Sequence, residues 1–135
     1  MAINDLPGLS ALKTRMQWHQ ERQRVLAHNV ANSDTPSFRP RDLVEPKFDR
    51  GGNSVNAPAA AVRVAVTNAA HISGSGSSES FGQSRKSGYE TRPAGNAVNL
   101  EEEMMKVSAN QMDYAAATTL YSRSLGLLKT AIGKR

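Results

Sequence analysis

Cysteine is absent from all 135 residues, which rules out disulfides and any cysteine-based metal site. No apolar run approaches the roughly 20 residues that a membrane-spanning helix requires. Met1 to Pro7 carry no basic segment followed by an apolar one, so no cleavable signal peptide is expected. A concentration of charge of one sign is lacking as well. The formal net charge is +5, but basic and acidic residues are mixed along the chain. They form no basic stripe of the kind that nucleic-acid binding requires.

The groups that carry chemistry are equally sparse. His19, His28 and His71 are far apart, and no carboxylate stands at helical ligand spacing from any of them, so a metal site is not expected. Asp34-Thr35-Pro36 has Pro where an aspartic-protease triplet needs Gly, and no second copy supplies the paired carboxylate. Ser33 and the other serines have no evident His and Asp companions. Gly74-x-Gly76 is followed by neither Gly-Lys-Ser/Thr nor a helix start, so it is no phosphate loop. Met104, Met105 and Met112 read as packing residues. An enzyme is not expected, and neither is a cofactor or small-molecule ligand.

What the chain does contain lies at its two ends. Asn99, with Glu102 three residues on, is a helix-start signal, and Glu101 to Glu103 place negative charge at the positive end of the helix dipole. From there Leu100, Met104, Val107, Gln111, Tyr114, Thr118, Tyr121, Leu125, Leu128 and Ile132 alternate at spacings of four and three. That pattern predicts a helix packed lengthwise on another helix through about four heptads. No Pro interrupts it, Gly133 suits its end, and the helix would be roughly 50 Å long.

The second helical segment covers residues 9–31. Leu9, Leu12, Met16, His19, Gln23, Leu26 and Val30 follow the same three-four spacing, with Pro7 and Ser10 as possible start signals. Ala11, Trp18 and Val25 lie seven apart on an adjoining stripe that widens the apolar face. His19 and Gln23 make the middle of this seam polar, as Gln111 does in the other. Polar groups at such positions lower stability but can fix register. An antiparallel or parallel pair that needs nothing else is one reading; the other is that two helices are too few to bury both stripes, so that other copies or partners complete the bundle.

Between the helices, His28 to Asp42 closes one element and turns the chain. Asn32 can take the left-handed conformation that ends helices, and Asp34 can accept backbone N–H groups in an Asx turn. Pro36 and Pro40 push Thr35 and Arg39 out of the helical region. Phe38 is the large apolar group expected to anchor the turn. Asn29 and Asn32 share a helix face, from which both could bond to a facing backbone.

The run Leu26-Ala27-His28-Asn29-Val30-Ala31-Asn32-Ser33-Asp34-Thr35-Pro36-Ser37-Phe38 closely resembles the N-terminal signature of the flagellar basal-body rod, hook and related axial proteins. Its continuation Arg39-Pro40-Arg41-Asp42, the short chain, and Asn99 to Met104 with Asn110 and Tyr114 look most like the proximal rod members of that family. The resemblance covers about residues 9–49 and 96–133. It marks Asn29, Ala31, Asn32, Asp34, Thr35, Pro36 and Phe38 as signature residues tied to assembly. Ser37 departs from the family's usual Gly, which makes a positive φ there less expected. Phe38 for the usual Tyr loses a hydroxyl.

Residues 50–95 differ in composition, being rich in Ser, Ala, Gly and Asn. They read as a largely flexible linker, with a possible short hairpin around Val62–Val66. The expected fold is therefore mainly α. Residues 1–35 would hold the N-terminal helix, 36–98 the turn, an extended segment and a flexible or weakly β middle, and 99–135 the C-terminal helix. Coiled-coil-like packing would rest on Leu12, Met16, Leu26 and Val30 against Leu100, Met104, Val107, Tyr114, Tyr121, Leu125, Leu128 and Ile132. The resemblance implies a structural subunit of the rod, which transmits torque from motor to hook and filament. It also implies unfolded export by the flagellar type III system and assembly in the periplasm with its own copies, other rod proteins, the basal-body adaptor and the export gate. A soluble helical adaptor or chaperone-like protein that binds amphipathic helices is the alternative from another class.

Overall fold

The computed structural model describes residues 6–49, 52, 54–55, 81–84 and 91–133. Two helices dominate it: α1 (Pro7–Ala31) and α2 (Leu100–Ala131), with a two-residue strand pair, β1 (Asp42–Leu43) and β2 (Gln83–Ser84), between them in sequence. The fold is thus mainly α. The expected hairpin at Val62–Val66, the Gly74-x-Gly76 stretch and His71 lie outside the described residues.

Each helix begins and ends for an identifiable reason. Pro7 is the first residue of α1, where its missing N–H costs nothing. Asn99 caps α2, its side-chain oxygen accepting from the backbone N–H of Glu101 at 3.1 Å and of Glu102 at 3.4 Å. Glu102 does not return the bond to the cap as a capping box would; its carboxylate lies 3.2 Å from the Lys106 ammonium. At the far end Gly133 has φ +78° and its N–H reaches the Thr130 carbonyl, a glycine-dependent stop. The end of α1 differs from expectation. Asn32 has φ −105°, outside the left-handed region.

The helices are antiparallel, since His19 meets Asn110 and Asn29 meets Glu103. The α2 face turned to α1 has Glu103, Asn110 and Ala117 buried, with Val107, Tyr114, Tyr121, Ser124 and Leu128 partly so. This seam alternates three and four, as in a coiled coil. It shares Val107, Tyr114, Tyr121 and Leu128 with the predicted seam, but the intervening members stand one residue earlier. Leu100, Met104 and Ile132 are accordingly exposed, and so are Gln111 and Thr118, while Leu125 is partly buried. Large apolar side chains marked one stripe; the packed stripe keeps four of them and alternates them with Glu103, Asn110, Ala117 and Ser124.

α1 has two partners. One face, with Leu26 fully buried and Leu12, Met16 and Val30 partly buried, follows the expected spacing. The adjoining stripe packs elsewhere: Trp18, with Val25 beside it, forms a cluster with Leu43 of β1 and Phe81 just before β2. β1 and β2 run antiparallel, Asp42 opposite Ser84 and Leu43 opposite Gln83. The indole N–H of Trp18 donates to the Val44 carbonyl at 2.8 Å, so its one polar atom is satisfied where it is buried. Arg22 lies over the same indole, 5.2 Å from the ring centroid, and reaches both carboxylate oxygens of Asp42 at 2.9 Å. That bidentate bond outweighs partial burial and holds the guanidinium pKa above its ordinary value.

Candidate functional site

The signature residues gather where α1 ends, the chain turns and α2 begins. Asn29 is the centre of this junction and is essentially inaccessible. Its side-chain oxygen accepts from the Arg41 N–H at 3.1 Å. Its amide donates to the Arg41 carbonyl at 2.6 Å and to Glu103 Oε2 at 2.8 Å. One side chain therefore ties α1 to the segment leading into β1 and to the first turn of α2. Only a primary amide, with acceptor and donors on one short stem, can make all three bonds from a helix.

Glu103 is buried as well, and a buried carboxylate needs compensation. Besides Asn29 it accepts from Lys106 Nζ at 2.8 Å. Burial opposes the charge on Lys106, but its bonds with Glu103 and Glu102 outweigh that cost and hold the ammonium pKa above the ordinary 10.5.

Asn96 closes the junction from the other side. Its amide donates to the carbonyls of Asn32 at 3.0 Å and Thr35 at 2.7 Å, while its oxygen accepts from the Val98 N–H at 2.7 Å. Backbone bonds from Ser37 N–H to Ala94 and from Ala97 N–H to Phe38 complete the clamp. The turn between α1 and β1 is thus held by the strand-like approach to α2.

Within the turn, Asn32 bonds back to the His28 carbonyl of its own helix and accepts from the Thr35 hydroxyl, and so does not reach a facing element. Asp34 is exposed and lies 3.6 Å from Arg92, a pairing that replaces the expected Asx turn. Ala31 and Pro36 are exposed. The Phe38 ring lies against that of His28, 5.6 Å between centroids, so the turn does rest on the end of α1. Ser37 overturns its expectation: φ is +58°, the left-handed conformation that a Gly would take without strain. The backbone geometry of the turn is set by the clamp rather than by the residue that occupies it.

A second polar layer lies midway along the helices. Asn110 donates to the His19 carbonyl and to Gln23 Oε1, both at 3.0 Å. Its oxygen is left for His19 Nδ1 at 2.8 Å, which therefore carries the imidazole proton. Nε2 of His19 is buried without a partner among the described residues. Beside the layer Gln20 donates to the Tyr114 hydroxyl at 3.0 Å, and an open groove of about 490 Å³ runs past these residues. Among the described residues no group of His, Cys, Asp or Glu could hold a metal ion. Neither the junction nor the groove places a nucleophile beside a base. Both arrangements bind helix to helix.

Sequence reasoning did not pick out Asn96 or Arg22; it read Glu103 as part of a helix start, where the structure buries it, and it read Asp42 and Asn110 only through resemblance. Asn110 carried a signal of its own: Asn is a poor helix former, so its place in the middle of a long helix asks for a bonding partner.

About 120° around the helix from Glu103, Asn110 and Ala117, α2 is bare. At about 100° per residue, Met105, Met112, Leu120 and Leu127 fall within about 80° of one another. All four are well exposed, Leu127 by 74%. Fold and junction together define an antiparallel pair of helices with one long face of α2 exposed to solvent.

No protein-family model matches the chain. A flagellar basal body rod protein FlgB of Agrobacterium fabrum (strain C58) is 34% identical over 101 residues, covering 73% of this chain and 72% of that protein. The corresponding FlgB of Bacillus subtilis (strain 168) is 22% identical over 111 residues, covering 82% of this chain and 81% of that protein. The chain belongs to the FlgB family of flagellar basal body rod proteins.

Proposed function

We propose that the protein is a structural subunit of the proximal flagellar rod, polymerising with its own copies and other rod proteins to carry torque from motor to hook and filament. The observation that carries this reading is the exposed stripe Met105, Met112, Leu120 and Leu127 on a helix whose other face is taken by α1. An exposed apolar stripe of this length suits a lengthwise contact between subunits, and a contact that does not close on itself extends a filament. In this reading the subunit is not an enzyme, passes through the flagellar type III route, and meets the export gate and the basal-body adaptor at the rod base. Among the described residues no helix is long and apolar enough to cross a membrane.

The competing adaptor reading predicts a complex of finite size. Replacing Met112 and Leu120 together by Asp should leave the helical content of the purified chain unchanged. In cells carrying it as their only copy, the variant should abolish basal bodies, whereas Lys129→Glu spares them. Normal basal bodies with the double Asp variant at wild-type protein level would overturn the reading. So would saturating, finite complexes with rod subunits in sedimentation.

A further inference from the structure

The seam between α1 and α2 is unusual in what it buries. Its buried apolar members are Leu26 and Ala117, whereas His19, Asn29, Glu103 and Asn110 are buried polar groups. The remaining apolar members of the seam are only partly buried, and outside the Asn29–Glu103 bond at one end they discriminate weakly between registers, particularly along the small residues Ala115 to Thr119. A slide of one heptad moves a helix by about 10 Å and returns similar faces to each other.

We propose that the His19–Asn110 layer is a register lock, which selects one antiparallel alignment of the two helices. A one-heptad slide in one sense sets His19 against Ala117 and Asn110 against Leu26. In the other sense it sets Asn110 against Leu12. Either alignment strands a buried amide that in the observed register makes three bonds, to His19 Nδ1, the His19 carbonyl and Gln23. A buried polar group is costly when orphaned and only modestly stabilising when paired, so such a layer discriminates between alignments more than it strengthens any of them.

The chain has no cysteine, so two can be placed at will. Spin labels at Gln17 and Arg123, both exposed, would report the alignment as an inter-label distance in the full chain. One distance is expected for the unaltered protein. His19→Leu/Asn110→Leu should keep the helical signal and add a population displaced by up to about 10 Å. The exchange His19→Asn/Asn110→His, which keeps a donor facing an acceptor across the seam, should return the single distance. A single unchanged distance in the double Leu variant would overturn the lock, as would several distances in the unaltered or exchanged chain. Loss of the helical signal in the double Leu variant would also overturn it, because the layer would then act on stability rather than alignment.

Discussion

α1 and α2 are both long, periodic helices, yet they are used differently. α1 buries two adjoining faces, one on α2 and the other, through Trp18 and Val25, on Leu43 and Phe81. α2 buries one face and leaves Met105, Met112, Leu120 and Leu127 to solvent. Apolar periodicity therefore means two things in one chain. On α1 it records packing within the subunit. On α2 its largest side chains record a surface that the isolated subunit does not cover, while the internal seam is carried by Asn110, Glu103 and Ala117.

The sharpest way to break this comparison is to remove the anchor of the second α1 face. Trp18 is buried, donates to Val44 and lies under Arg22. Trp18→Ala should cost about 3–5 kcal/mol, comparable with the whole stability of many small domains. Circular dichroism should show helical signal lost at 25 °C, or a large fall in urea midpoint. If the variant unfolds at the wild-type midpoint, the second face does not support the fold.

These differences also explain what was legible in the sequence. The ends of α2 were, because Asn99 and Gly133 act through local geometry that their residue types dictate. The second stripe of α1 was visible as Ala11, Trp18 and Val25, but not its partner, since Phe81 stands alone in a Gly- and Ser-rich stretch and the pairing spans more than sixty residues. The α2 seam was drawn through Met104 and Gln111 because hydrophobicity cannot register a buried Asn or Glu that is fully bonded. Of the junction, Asn29 could be read from its place on the helix and from resemblance. The clamp by Asn96 could not, because it consists of bonds to carbonyls whose direction depends on the turn.

A smaller effect tests that turn, through which the chain leaves α1 to cover its second face. Ser37 holds φ +58° under the clamp from Ala94 and Asn96. Ser37→Gly removes the side-chain penalty of the left-handed conformation, on the order of 1 kcal/mol, partly offset by the greater freedom of glycine in the unfolded chain. The net expectation is a gain of a few tenths to about 1 kcal/mol, read as a rise in urea midpoint at unchanged slope. A lower midpoint would mean that Ser37, whose hydroxyl lies on the Gly95 side of the turn, contributes a contact worth more than the strain.

The smallest effect belongs to the outer face of α2, and it sharpens the comparison most. Met112 is 69% exposed, so truncating or polarising it removes little buried area in the single subunit. Met112→Gln keeps a straight side chain of similar length and similar helix propensity, and its change in unfolding free energy should stay within about 0.5 kcal/mol. In the purified chain at low concentration, urea titration should give wild-type midpoint and slope. As protein concentration is raised, any apolar contact between copies should add stability by mass action, and the two proteins should then separate, the unaltered chain rising and the variant not. A midpoint already lowered at low concentration would place Met112 in the subunit's own core and erase the distinction between the helices. Curves that coincide at every concentration would leave the stripe intact and move the contact between copies to another part of α2.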